Sequence, residues 1–253
     1  MVIKILFKKM LTPSGAFERF DTHTEQQQHI NTMRTKTLLL SAALTAAGVC
    51  SSLAQVYSVN AVGYVNLVVA PGLSMIANPL SATDNTLGGV LTTATGTPFG
   101  TQIYQFNGTT FVAALYDDID GWTSNGQPAA NLPLAPGGGI FIRNNGTTAF
   151  TNTFVGEVMQ GSLSVPLPAG LSIVSSKVPQ AGKLGTDLKL IPPAGTQVYV
   201  FNGSAYDSFL YDDIDGWVKS GVPTEPNIAI AQSFWVRNNG PAASWDRVFS
   251  VNP

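Results

Sequence analysis

The sequence predicts an all-β protein made of two tandem, duplicated β-sandwich-like bodies, each of about seven short antiparallel strands. Three observations carry this expectation. Tyr-Asp-Asp-Ile-Asp-Gly-Trp occurs twice, at Tyr116–Trp122 and Tyr211–Trp217, 95 positions apart. Apolar residues alternate with the two-residue period of a strand on both sides of Asn-Gly pairs. No long 3.6-residue apolar period follows the first 54 positions, so helix is limited to short turns at Asn85–Leu91 and Leu184–Leu190.

Taken in chain order, residues 1–32 carry no apolar periodicity and read as a non-native or disordered upstream extension. Met33-Arg34-Thr35-Lys36 and the apolar run Thr37–Val49 then read as a signal peptide, with Ser52-Leu53-Ala54 as small cleavage residues and Gln55 as the first mature residue. The run is shorter than the roughly 18–20 residues that a membrane span needs. An exported protein of the periplasm, cell surface or extracellular space follows.

From there the two halves align as repeats over 55–160 and 161–253. Gly100–Tyr104 matches Gly195–Tyr199, and Phe106-Asn107-Gly108 matches Phe201-Asn202-Gly203, at an offset of 95. Gly72–Ile76 matches Gly170–Val174 at 98, while Arg143–Gly146 matches Arg237–Gly240 at 94. Such slips sit at Gly- and Pro-rich spots, where loops absorb length changes. A further strand-like segment recurs at Val56–Asn60, Asn152–Gly156 and Val248–Asn252 and brackets both bodies; sequential domains and strands crossing between bodies are both compatible with it.

Within each body, aromatics two apart place Tyr104 with Phe106, and Tyr199 with Phe201, on one sheet face. Asn107-Gly108 and Asn202-Gly203 then supply two-residue hairpin turns into Phe111–Tyr116 and Tyr206–Tyr211. In those returning strands Val112 is replaced by Asp207, so the face of Phe111 is expected to be the buried one.

The order Gly72–Pro79, Ile103–Gly108 and Leu134–Asn144 resembles the tandem β-sandwich repeats of uncharacterised secreted bacterial proteins, built on an Asn-Pro … Tyr-x-Phe … Pro-Gly-x-Gly-Phe-Phe-Val pattern. The resemblance covers about 56–253; the second copy departs from it, with Ser175-Ser176-Lys177 in place of Ala77-Asn78-Pro79. It implies an exported β module and carries over no catalytic residue.

Composition excludes several chemistries. His23, His29 and Cys50, which account for every histidine and cysteine, precede Gln55, so the mature chain can build no Ser-His-Asp or Cys-His nucleophile, disulfide or His-ligated metal site. From Gln55 onward 7 basic and 12 acidic residues leave a net charge of −5, which disfavours nucleic acid as a partner. The expectation is a non-enzyme.

Three constellations remain. Asp118 and Asp120, with Asp213 and Asp215, have the D-x-D-G core of a calcium loop, but the rest of the loop signature is missing and a plain Asp-Gly turn is the preferred account of them. Trp122 and Trp217, with Tyr116 and Tyr211, suit either a sugar-stacking platform or a plug in the core. Arg143 and Arg237, lone cations in apolar strands, are expected to pair structurally with the acidic turn of their own repeat.

The function expected from sequence is therefore a structural or adhesive exported β-repeat protein, with self-assembly by end-to-end strand pairing. The alternatives are a carbohydrate-binding module using Trp122 and Trp217, with polysaccharide as partner, and an adhesin stiffened by Ca²⁺.

Overall fold

Alternating apolar residues make both sheets. The protein, seen in a computed structural model that describes residues 61–251, forms β1 (Val62–Val69), β2 (Gly72–Ile76), β3 (Gln102–Phe106), β4 (Phe111–Asp117), β5 (Gly121–Ser124), β6 (Gln127–Pro128), β7 (Ile140–Asn144) and β8 (Phe150–Glu157) in the first body. The second contains β9 (Gly161–Leu167), β10 (Gly170–Ser175), β11 (Gly182–Lys183), β12 (Gln197–Phe201), β13 (Tyr206–Asp212), β14 (Gly216–Lys219), β15 (Val222–Pro223), β16 (Asn227–Ile228), β17 (Ser233–Asn238) and β18 (Ala243–Phe249). The upstream extension, the signal peptide, Val56–Asn60 and Asn252 lie outside the described residues.

All pairings are antiparallel. One six-stranded sheet runs β2-β7-β3-β4-β5-β6 and its counterpart β10-β17-β12-β13-β14-β15, while β1 pairs with β8 and β9 with β18 as separate ribbons. The first strand of each repeat thus pairs with its last, so each body closes on itself and no ribbon strand crosses to the other body. Short pairings of two residues, such as β11 with β16, raise the strand number above the expected seven.

Between ribbon and sheet lies the core of each body. In the first, Val65, Val69 and Phe154 from the ribbon meet Ile76, Ile103, Ile140 and Ile142 from the sheet. A short helix, α1 (Leu87–Val90), adds Leu87 and Val90 to that core. In the second body Val165, Leu167 and Trp245 meet Val198, Phe234 and Val236, and Leu184, Leu188 and Leu190 fill the place of α1. Burial of this much branched aliphatic and aromatic surface, at about 25 cal/mol per Å², is what holds a chain without disulfides.

Buried polar groups tie ribbon to sheet. Asn144 donates to the carbonyls of Val69 at 3.2 Å and Thr148 at 2.8 Å and accepts from the Gly146 amide at 2.9 Å. Asn238 repeats this with Leu167 at 3.0 Å, Pro241 at 2.7 Å and Gly240 at 3.0 Å. The repeated Arg-Asn-Asn-Gly is therefore a staple that satisfies strand-end carbonyls which burial would otherwise leave unpaired.

Two sequence expectations change. Asn107 and Asn202 do not form two-residue turns: each loop runs four residues, with the Asn backbone amide donating at 3.0 Å to the carbonyl of Thr110 or Ala205. Neither Asn takes the positive φ that a two-residue type I′ turn requires; instead its side-chain oxygen accepts from backbone amides two and three residues on. The face of Phe111 is also not the one turned to the body's own core. Phe111 is 46% and Tyr206 45% exposed, while Ala114, Tyr116 and Phe209 on the opposite face are buried. Alternation shows that a strand has two faces, and here both carry apolar residues, so it could not say which face the ribbon covers.

The two bodies, which share one compact unit, meet through contacts that mirror the repeat. The Ala77 amide donates to the Ala231 carbonyl at 2.9 Å, and the counterpart Ser175 amide donates to Gly137 at 3.0 Å. Isolated bridges Ile76↔Gln232 and Gly138↔Val174 are likewise counterparts. Around them Phe106 and Trp235 lie 5.0 Å apart, Phe111 and Trp235 6.0 Å, and Phe141 and Phe201 6.0 Å, mostly tilted or edge-on, the arrangement favoured by ring quadrupoles.

At this junction Gly139 faces its own counterpart, Ser233, and a Cβ on Gly139 would sit 2.2 Å from that of Ser233. Gly139→Ala should therefore destabilise the chain by about 1–3 kcal/mol. Ser233→Gly in the same chain should recover part of the loss in a urea-unfolding cycle, and strict additivity of the two changes would show that the clash is not the cause.

Candidate functional site

The duplicated heptad is built by its first aspartate. The Asp117 carboxylate accepts from the amides of Ile119 at 2.9 Å and Asp120 at 3.2 Å, and Asp212 from Ile214 at 2.9 Å and Asp215 at 3.1 Å. Gly121 and Gly216, both at φ +70°, complete the corner. These amides, Ile214 first, hold the Asp212 carboxyl below its usual range.

The tryptophans that follow point inward. Trp122 is 1% and Trp217 5% exposed, and their indoles donate to the carbonyls of Leu91 at 2.7 Å and Leu190 at 3.4 Å. Tyr116 is buried, stacks on Trp122 at 5.0 Å and accepts from the Thr93 amide at 3.1 Å. Tyr211, half-buried, lies edge-on to Trp217. The sugar platform on Tyr116, Trp122, Tyr211 and Trp217 thus gives way to the core plug: Tyr116, Trp122 and Trp217 are buried and leave no face for a pyranose, and Tyr211 packs against the core beside Trp217.

The acids do not gather either. Asp118, Asp120, Asp213 and Asp215 are exposed at the corner tips, and among the described residues no group of three acidic side chains converges as a cation would need. Arg143 and Arg237 do not pair with their acidic turns; the ion pair among the described residues is Lys219 with Asp207 at 2.6 Å. The register explains this, because both arginines sit on the outer sheet face opposite Leu and Gln, away from the corner.

That outer face is where exposed chemistry collects. Across the second sheet, one row runs Leu171, Arg237, Gln197, Leu210; the next runs Ile173, Trp235, Tyr199, Ser208; a third holds Phe201 and Tyr206. The first sheet repeats it as Leu73, Arg143, Gln102, Leu115, then Met75, Phe141, Tyr104, Ala113, then Phe106 and Phe111. Tyr199 donates to Gln197 Oε1 at 2.7 Å, and Tyr104 to Gln102 at 3.1 Å. Leu171, Tyr199, Tyr206, Trp235 and Arg237 line an open groove of about 260 Å³.

The paired aromatics and the lone arginines are each visible in the sequence, where they point separately to a core and to ion pairs. The signal that joins them is the identical Leu, Arg, Gln and Tyr spacing in both copies, which only strand register turns into a single surface. Compared with protein families, curated proteins and solved structures, the chain matches none.

Because the folded Asp212 carboxyl is held below the unfolded value of about 3.9, its contribution to stability is present above that value and lost as pH falls through its own lower pKa. Asp212→Asn, which keeps the accepting oxygen and cannot titrate, should therefore lose less melting temperature than the parent between neutral pH and about pH 3. An identical acid loss in both would remove the corner from the account.

Proposed function

We propose that the chain is an exported, non-enzymatic β-repeat protein with a structural or adhesive role at the cell surface, in the periplasm or in the matrix, and that it works through the outer faces of its two sheets. The observation that carries this reading is the repeated exposed row of Leu, Arg, Gln and Leu. Leu115, Leu171 and Leu210 are each more than a third exposed, and apolar side chains left open beside the rings that join the two bodies mark an interaction site. The signal-peptide pattern, the low charge and the resemblance to secreted β-sandwich repeats support export and a surface role. In a solid-phase assay, residues 55–253 should be retained on coated polysaccharide or protein without releasing products. Replacing Leu115, Leu171 and Leu210 by Ser should abolish retention, whereas turnover of any coating, or retention indifferent to those changes, would defeat the reading.

A second reading, self-association, is favoured by the ribbon of the first body. Val62, Tyr64 and Val68 on β1 and Val155 on β8 are exposed, and Tyr64 stands directly opposite Val155. At the matching positions of the second ribbon β9 carries Ser162 and Pro166. Val248 on β18 is exposed in the place of Val155, so the apolar face is wider on the first body, and like-to-like contact through it closes as a dimer in place of an open fibre. Sedimentation velocity should show a dimer that Tyr64→Lys dissociates; a parent monomeric at high concentration would overturn this.

A further inference from the structure

We infer that the groove on the second sheet binds an acidic polysaccharide, with a sugar ring against Tyr206 and the part of Trp235 that Phe106, Phe111 and Phe141 leave open, and a uronate carboxylate on Arg237. This rests on the adhesive reading and specifies its partner. At about 260 Å³ the groove falls below the roughly 300 Å³ at which sites for whole drug-sized ligands begin, so it suits one or two sugar units of a longer chain.

The charge of the ligand follows from the donors. Arg237 is exposed and pairs with no carboxylate among the described residues, and its neighbours across the row are Leu171 and Gln197. Gln197 Oε1 is already taken by the Tyr199 hydroxyl, which leaves the amide NH₂ as the group that Gln197 can offer. The row therefore offers a guanidinium and an amide, both donors, beside aromatic faces and with no anionic side chain among Leu171, Arg237, Gln197, Leu210, Trp235, Tyr199 and Tyr206. A planar carboxylate fits such a fork bidentately, and a pyranose face fits the rings. The net charge of −5 from Gln55 onward opposes a polyanion at long range as it opposes nucleic acid, so the contact rests on Arg237 and the rings beside it.

A sheet face rather than an edge also argues against an extended peptide, which would seek backbone pairing along an open strand. In the first sheet Arg143 and Gln102 stand in the same relation, but Phe141 is covered by Phe201 and Trp235, so that copy contributes an ionic contact without the ring platform.

Trp235 reports the site, because Trp122, Trp217 and Trp245 are buried and Trp235 is the half-exposed one of the four. Polygalacturonate oligomers titrated into residues 55–253 should change its fluorescence, and the change should vanish in Trp235→Phe. Arg237→Gln should weaken binding by about tenfold or more, and Arg143→Gln by less, with both variants melting as the parent does. Neutral galactan should not compete. Equal affinity for galactan, binding unaffected by Arg237→Gln, or tighter binding of poly-glutamate than of polygalacturonate would overturn the inference while leaving an adhesive role standing. Depolymerisation of the oligomers would overturn the adhesive role itself.

Discussion

The structure depends on one pairing made twice: the first strand of each repeat hydrogen-bonds to the last. β1 on β8 and β9 on β18 turn a linear duplication into two closed bodies, because each ribbon then lies across the sheet formed by the strands between its own ends. The asparagines at the ends of β7 and β17 reinforce the same closure by reaching from the sheet to the last carbonyl of β1 and β9. Antiparallel neighbours far apart in sequence are entropically slow to meet, and a side chain that satisfies the strand end at the point of contact helps to hold them. With the ribbon covering one face of each sheet, the other face is released for contacts outside the body.

The two bodies reach equivalent cores by different chemistry. In the first, Asn152 donates to the Val90 carbonyl at 3.2 Å and accepts from Thr95 and Thr97. In the second, Trp245 occupies the matching place in the ribbon and donates to the Leu188 carbonyl at 2.9 Å. The demand common to both is a donor for a buried carbonyl, not a particular side chain. A compact polar network and a large indole meet it equally, the first with the Thr93–Thr95 turn packed beside it and the second without that turn.

Much of the fold was legible in the sequence because it depends on local pattern. The two-residue alternation around Tyr104 and Tyr199, the loops after Phe106 and Phe201, and the offsets between copies place the central strands and the duplication directly. What the pattern could not supply were quantities set by strand register. Phe111 and Ala114 belong to opposite faces of one strand, both apolar, and only the position of the ribbon decides which faces the core. For Trp122 the sequence leaves a sugar platform beside a core plug, and the corner between Asp117 and Gly121 sends the indole inward, which decides for the plug. Arg237 looked like a partner for those acids because both are in one repeat, yet it belongs to a row of the sheet that the corner does not reach. Leu171, Trp235 and Tyr206 give no sign individually; they become a surface only when β10, β17, β12 and β13 are laid side by side.

The meeting of Gly139 with Ser233 also says something about how such a protein arises. Were the two bodies separate copies of one chain joined about a two-fold axis, both positions would necessarily hold the same residue, and the spacing at this junction leaves no room for a Cβ on both. A homodimer would be confined to glycine at both. Joining the halves in a single chain lifts that confinement, so one position can keep serine and its mate alone stay bare. Gene fusion here does more than tether two equal units: it permits an asymmetric seam that no pair of identical subunits could share.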